Sequence, residues 1–423
     1  MWRRIRPGKV VTGVLIALLL VGVALIIAQD QETLRVRTTV AAADPIFPSY
    51  LARLLGDPLT EGDAYVVHTD GTAAFPAMLA AIDRARTRVS LETYIFADDT
   101  TGQQFAAALE RAARRGVKVK MVLDSVGAGE LQSAVVAQLE SAGVKIAWYN
   151  RVVSYSLEEA NYRTHRKALI VDGAVAFVGG MGLADQWAHD SKQEPRWRDT
   201  QIELRGPVVD NVEAAFNQNW IETVGLAEPE VQATTGGAQG DGRSIVVWSS
   251  SEGGTNPLKL LYLLAIASAR RTLDIQSPYV VTDESTLWSL QEARRRGVRV
   301  RILMEGDMTD AKPVKFAGRA GYTTLLESGL ELYEYQPAMM HTKAMMVDGL
   351  LTIVGSANFD NRSLELNDEL NVVAFDASLA RRLTADFERD VTRSARIDAE
   401  QWRSRPLLIR AREKGWSLFG EIF

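Results

Sequence analysis

The stretch His165-Arg166-Lys167-Ala168-Leu169-Ile170-Val171-Asp172-Gly173, running on to Gly179-Gly180, decides how this chain is read, because it occurs twice. The second copy is His341-Thr342-Lys343-Ala344-Met345-Met346-Val347-Asp348-Gly349, running on to Gly355-Ser356. Strict alternation predicts a strand in which His165, Lys167, Leu169 and Val171 share one face. Asp172-Gly173 is a hairpin-turn dipeptide, with Ala174 to Val178 as the returning strand. His341, Lys343 and Asp348-Gly349 repeat the layout. Each hairpin then presents an imidazole beside an ammonium. That pair suits an anionic substrate, with a nucleophile or acid next to a fixed positive charge.

The repeat extends outward from these hairpins. In the first half, Ala73 to Ala85 reads as a helix, Arg88 to Phe96 as a strand and Gly102 to Arg115 as a second helix stopped by Gly116. Val117 to Leu123 and Ala142 to Tyr149 are further strands. Leu258 to Arg271, Thr272 to Val281 and Glu284 to Arg296 repeat the order. Gly297 to Leu303 and Ser328 to Tyr335 echo the two later strands. Strands alternating with helices imply an α/β class with a parallel or mixed sheet, and a whole-domain repeat implies two similar domains facing each other. The boundaries expected are 61–228 and 244–398, joined by a Gly- and Gln-containing linker at 229–243.

The termini differ in character. Arg3, Arg4, Arg6 and Lys9 precede Val10 to Ala28, an uncharged and almost wholly apolar run. As a helix it would be about 28 Å long, enough to cross a bilayer core. A cleaved signal peptide needs small residues before the cut, where this chain has Ile26. An uncleaved anchor at 1–28 is therefore expected, with the body outside the cytoplasm by the positive-inside rule. Residues 29–60 read as a linker and lead-in broken by Pro45, Pro48 and Pro58. The tail, 399–423, mixes Arg403, Arg405, Arg410, Arg412 and Lys414 with Leu407, Leu408, Ile409, Trp416, Leu418 and Phe419. It fits either a basic amphipathic segment on an anionic membrane or a terminal helix docked on the body.

Composition narrows the chemistry. The 423 residues are 47% apolar and 24% charged, with a net charge of −5. That balance argues against a protein that wraps nucleic acid. There is no cysteine, which excludes disulfides, thiol nucleophiles and cysteine zinc sites. Four histidines exist, and their spacing forms no metal motif, so neither a metal nor a cofactor is expected. Two histidines that meet at one phosphate suffice to split a phosphodiester, one as nucleophile and one as acid. Lys167 and Lys343 would neutralise the non-bridging oxygens, and Asn358 would add an uncharged donor.

The two stretches resemble the HxKxxxxD signature of the phospholipase D superfamily. Their continuations, Gly179 to Asp185 with Trp197-Arg198-Asp199, and Gly355 to Ser363 with Leu366 to Asn371, resemble its bacterial cardiolipin synthase branch. The resemblance runs from residue 60 to the end. It implies two phospholipase D-like α/β sandwich domains behind one transmembrane helix. It also implies that an acidic residue downstream of each motif histidine holds that histidine; by motif position these are Asp199 and Glu369. His165 is the implied nucleophile and His341 the acid. Asp172 and Asp348 belong to the signature, although their place before Gly in a tight turn explains them structurally. Gly180 lets backbone approach the substrate, and Ser356 either donates to phosphate or caps a helix. One departure stands out: many family members have Asn where this chain has Gly182.

The activity implied is condensation of two phosphatidylglycerol molecules to cardiolipin and glycerol through a phosphohistidine, at a membrane surface and without nucleic acid. Alternatives are a hydrolytic phospholipase D, a phosphodiesterase or nuclease of the same superfamily, and a non-catalytic lipid-binding protein. The residues leave the oligomeric state open.

Overall fold

The computed structural model describes residues 33–150, 162–190, 195–227, 237–250 and 257–418. Val36–Phe423 forms one compact body, distinct from Met1–Arg35. Among the described residues no helix is long and apolar enough to cross a membrane. The expected anchor, Val10 to Ala28, lies outside the described residues.

The described strands are β1 (Thr60–Thr69), β2 (Arg88–Thr93), β3 (Lys118–Asp124), β4 (Lys145–Tyr149), β5 (Ala168–Val171), β6 (Val175–Gly179) and β7 (Thr200–Arg205) in the first half. The second half holds β8 (Gly242–Trp248), β9 (Thr272–Gln276), β10 (Arg299–Glu305), β11 (Glu331–Tyr335), β12 (Ala344–Val347), β13 (Leu351–Gly355), β14 (Leu370–Phe375) and β15 (Ser394–Arg396). Their order is β15-β11-β10-β9-β12-β13-β14-β8-β1-β7-β6-β5-β2-β3-β4. Strands β2-β3-β4 are parallel, as are β9-β10-β11, and the remaining pairs are antiparallel. The order from β1 to β4 mirrors that from β8 to β11. The halves join edge to edge through β1 and β8.

Alternation along the strands decides how the layers stack. Leu169 and Val171 of β5 face an outer core with Phe105 and Leu109 from helix Thr100–Arg114. Ala168 and Ile170 face the other way, into a core shared with Ala344 and Met346 of β12. Met345 and Val347 in turn face the second outer core. The two sheet faces therefore look at each other across a middle layer. Helices Val208–Val224 and Ala377–Val391 fill that layer with Phe216, Trp220, Leu383 and Phe387.

Several boundaries differ from the sequence expectation. β2 stops at Thr93 and β9 at Gln276, while β4 starts only at Lys145. β8 begins at Gly242, inside the expected linker. The lead-in is no simple linker: helix Phe47–Leu55 buries Phe47 and Leu51 in the outer core of the second half. β5 begins at Ala168 and β12 at Ala344, so neither histidine nor lysine of either motif belongs to a strand. The two histidines pair across the halves instead, as described below.

The motif aspartates complete the hairpins. Asp172 and Gly173 both take positive φ, 56° and 64°, as do Asp348 and Gly349 at 54° and 71°. Asp tolerates this backbone better than most residues because its short polar side chain bonds locally. The Asp172 carboxylate accepts the backbone N–H groups of Arg86, Thr87 and Arg88. Asp348 accepts those of Arg270, Arg271 and Thr272. Each aspartate ties the turn to the start of the neighbouring antiparallel strand, β2 or β9, at the opposite end of the hairpin from the histidine.

Asp348→Ala leaves three backbone donors without their carboxylate. It is expected to destabilise the body by about 1–3 kcal/mol. A lowered thermal unfolding midpoint with turnover per folded molecule unchanged checks this; a large loss of turnover at full stability contradicts it.

Candidate active site

Both motif histidines line one cleft of about 280 Å³, together with Tyr94, Lys167, Trp187, Trp197, Tyr279, Asp310 and Asn358. Two short bridges bring them there. The Thr164 segment pairs with Asp368, so His165 N–H donates to the Asp368 carbonyl at 2.8 Å. The Arg198 segment pairs with Met340, so His341 N–H donates to the Arg198 carbonyl at 2.7 Å. Each motif is thus stitched to the segment that enters β14 or β7 of the opposite half.

This stitching crosses the carboxylates. His165 Nδ1 lies 2.9 and 3.0 Å from the two oxygens of Glu369. His341 Nδ1 lies 2.7 Å from Asp199 Oδ2. Asp199 does not hold the histidine that precedes it in its own half, nor does Glu369. The structure brings both acids to motif histidines, but exchanges the pairing expected from motif position. A repeat read along one chain gives no sign that its partners exchange.

The two pairs are chemically unequal. Burial pushes Glu369 up, but His165, Lys167 and the Ser356 hydroxyl overcome this and hold it at about 2. A carboxylate that stays ionised only accepts, so His165 Nδ1 carries the hydrogen and Nε2 keeps its lone pair. Burial, opposed by Glu369, lowers His165 to about 4, leaving the imidazole neutral near pH 7. Burial raises Asp199 to about 6, against the pull of Lys343. Burial and then Lys343 lower His341 well below the usual range. Glu369 is thus held firmly ionised, whereas Asp199 is held much nearer to protonation.

The lysines are buried beside their histidines. Lys167 Nζ donates to the His165 carbonyl at 2.6 Å and lies over the Tyr94 ring. Lys343 Nζ donates to the His341 carbonyl at 2.7 Å. Burial lowers Lys167 to about 7 and Lys343 to about 8. Asn358 lines the cleft, with Oδ1 buried and without a hydrogen-bond partner among the described residues. Ser356 is placed differently from either sequence expectation: its hydroxyl donates to Glu369 Oε2 at 2.5 Å and accepts Leu370 N–H. Gly180 is needed for space, since a Cβ there would lie 2.6 Å from Asp199 Oδ1. Asp172 and Asp348 lie outside the cleft lining. His68 pairs with Glu203 and His189 with Asp185, also outside the lining. Among the described residues no group of three or more His, Asp or Glu could hold a metal ion.

Trp187 is the residue that sequence reasoning missed. Its side chain is fully buried, and its Nε1–H donates to Asp199 Oδ2 at 3.0 Å. Its ring packs edge-on against His341. It also explains Gly182: a Cβ there would lie 2.8 Å from Ile95 Cβ and 3.1 Å from two Trp187 ring atoms. The indole fills the space that an asparagine side chain would need. The departure at Gly182 was the visible signal, but its cause sits five residues away. Tyr279 and Asp310, bonded to each other across the cleft rim, were equally unreadable as a pair.

Two mirrored α/β halves that deliver one His–Lys pair each to a common cleft define a two-motif phospholipase D-like protein. A family model described as "Cardiolipin synthase, PLD-like domain" matches residues 78–220 and 262–391. The cardiolipin synthase of Geobacillus kaustophilus (strain HTA426) is 33% identical over 366 residues, covering 84% of this chain and 72% of that one. Cardiolipin synthase 2 of Bacillus anthracis is 33% identical over 358 residues, covering 84% and 70%. The chain belongs to the cardiolipin synthase branch of the phospholipase D superfamily. Among solved structures, the phosphatidylserine synthase of Haemophilus influenzae Rd KW20 superposes with a TM-score of 0.66 at 13% identity, covering 89% of this chain and all of that one. The polyphosphate kinase of Porphyromonas gingivalis gives 0.53 at 15% identity, covering 92% and 58%. Both share the fold.

Trp187→Phe keeps the ring and removes the donor to Asp199. Asp199 then loses a bond that stabilises its ionised form, so its pKa rises further above about 6. Loss of a hydrogen bond to a charged group, about 1.5–3 kcal/mol, amounts to at least about one pH unit. The acid limb of the kcat/KM profile should move up by that amount, with folding unchanged. An unmoved limb would show that the indole only fills space.

Proposed function

We propose that the chain is a phosphatidyl transferase that condenses two phosphatidylglycerol molecules into cardiolipin and glycerol. The observation that carries this reading is the pair of unequal His–carboxylate couples on one lysine-lined cleft. Environments that push two titratable pairs apart assign the base and the acid. His165 Nε2, neutral and with its lone pair free, attacks the phosphorus of the first lipid. The bond from phosphorus to the glycerol headgroup oxygen breaks, and that oxygen takes a proton from His341. The phosphatidyl group is now bound to His165. A headgroup hydroxyl of the second lipid gives its proton to His341 and attacks phosphorus. The N–P bond breaks and His165 is regenerated.

Lys167 and Lys343 stabilise the charge on the non-bridging oxygens in both steps. A phosphodiester anion between them would also favour the protonated form of His341, which the acid role needs. Asn358 donates to the same phosphoryl group. Water as the second acceptor would give a hydrolytic phospholipase D by the same chemistry. The aromatic walls from Tyr94, Trp187 and Trp197 favour exclusion of water and hence transfer.

His165→Ala should abolish turnover in a folded protein. His341→Ala should accumulate a phosphatidyl group on His165, seen by mass spectrometry after incubation with phosphatidylglycerol. Finding the group on His341 in the reciprocal variant, with none on His165, would reverse the two roles. Release of free phosphatidic acid in place of cardiolipin by the unaltered enzyme would turn the reading to hydrolysis.

We further propose a single anchor at Val10 to Ala28 in the bacterial cell membrane, with the catalytic body outside the cytoplasm. Four basic residues before the run and Asp30 and Glu32 after it motivate this orientation. Cysteine placed at exposed Gln239 should react with a membrane-impermeant thiol reagent in intact spheroplasts. Labelling only after lysis would put the body, and the lipid pool it uses, on the cytoplasmic side.

A further inference from the structure

The last described helix, Leu407–Ser417, docks in an unusual sense. It turns a glutamate inward and leucines outward. Glu413 is 2% exposed and receives Arg405 at 2.7 Å and Arg319 at 3.3 Å. Leu407 and Leu408 are 77% and 85% exposed, and Leu418 is 55% exposed. A helix that served only to cover the body would bury those leucines and leave the glutamate in water.

The spacing of the outward residues makes a defined face. Leu407, Ala411, Gly415 and Leu418 fall along one line of the helix, with Leu408 beside it. Arg410 and Lys414 flank this line on one side and Arg412 on the other, all exposed. An apolar line between basic edges is the pattern of a helix that lies in a membrane interface.

Its place in the fold relates it to the cleft. The helix packs on Lys312–Glu327, and the chain runs antiparallel to it: Trp402, in the short preceding helix Ala399–Arg403, stacks on Tyr322, whereas Arg412 of the last helix lies over Phe316 near the other end. Its C-terminal end therefore reaches the end of Lys312–Glu327 that follows Asp310 and Ala311. Those two residues line the cleft.

We infer that Leu407–Ser417 is a membrane foot, which lays its leucine face into an anionic lipid bilayer beside the mouth of the cleft. The occupant follows from charge complementarity and position. Three cations edge the face in a chain whose net charge is −5, and the adjoining cleft, on the reading proposed above, draws its substrate from such a bilayer. Basic residues near an anionic surface each strengthen attachment, and the leucines add apolar burial.

The test uses the full chain in lipid nanodiscs and reads the foot locally, because the N-terminal run would hold any variant to a bilayer. The chain lacks cysteine, so Leu408→Cys gives a single site for an environment-sensitive fluorophore. In discs containing phosphatidylglycerol, doxyl-labelled lipid should quench that fluorophore. The same label at exposed Glu140, on a helix of the first half, should stay unquenched. Arg410→Glu with Lys414→Glu should cut quenching at position 408 at least about fivefold, with the thermal midpoint unchanged. Equal quenching at 408 and 140, or none at 408, would overturn the foot. Equal quenching in phosphatidylcholine discs would overturn its preference for anionic lipid. Concentration-dependent protection of the label in detergent would assign the face to a second copy of the chain. None of these readouts involves turnover, and repeating them in His165→Ala separates failure of the foot from failure of the transferase reading.

Discussion

The active site depends on one exchange between the halves: the histidine of each is held by the carboxylate of the other. The bridges Thr164–Asp368 and Arg198–Met340 enforce it, because backbone pairing fixes where Glu369 and Asp199 project. The middle core of Ala168, Ile170, Ala344 and Met346 keeps these bridges in register. A buried ion pair adds to them, with Arg198 of the first half at 2.9 Å from Asp390 of the second. Because the carboxylates are buried, neither is tolerated without its histidine and lysine partners. Neither half therefore contains a complete acid–base couple by itself. Duplication of one domain produced two motifs, but it is the exchange that makes them one site.

Duplication also explains why the two couples differ. At equivalent places in the repeat stand Gly180 and Ser356, Gly182 and Asn358. Where Ser356 donates to Glu369, Gly180 leaves room for the shorter Asp199 to come close. Where Asn358 lines the cleft, Gly182 yields its space to Trp187. The first set leaves His341 among indole rings, beside an Asp199 that burial raises; the second puts the Ser356 hydroxyl on Glu369, which His165 and Lys167 lower. Two copies of one scaffold thus hold carboxyls about four pH units apart, from about 2 to about 6. Burial wins at Asp199, although Thr200 N–H and Trp187 donate to it, whereas at Glu369 the charge and hydrogen bond of His165 overcome burial.

Much of this was legible in the sequence because it was written twice. The repeated His, Lys, Asp-Gly and Gly positions located both hairpins, both carboxylates and the α/β class. Local signals were reliable where local chemistry decides, as at Asp172 and Asp348, whose turns need a residue that accepts positive φ. They failed where the deciding contact is distant. Alternation put His165 and Lys167 in a strand, but the bridge to Asp368 holds them outside it. The lead-in looked like a linker because Pro45, Pro48 and Pro58 interrupt it, yet Phe47 and Leu51 complete a core whose other members lie two hundred residues on. Trp187 carried no signal of its own, since nothing near it in sequence names Asp199 or His341.

The lysines show what the site requires of its ligand. Lys167 and Lys343 are nearly inaccessible, and burial has brought them to about 7 and 8. The Lys343 ammonium lowers Lys167 further, and Lys167 lines the cleft. Asp199 and Glu369 offset part of this charge, but both are committed to histidines. A phosphodiester contributes the missing negative charge without carrying a proton of its own. Its arrival would raise both lysines and His341 together and so draw protons into the cleft. On the mechanism proposed above, that response favours the charged His341 that the acid role needs. A neutral ester of similar shape would gain no such response. The selectivity for phosphate is thus built less into any single contact than into the cost of keeping two cations buried without an anion between them.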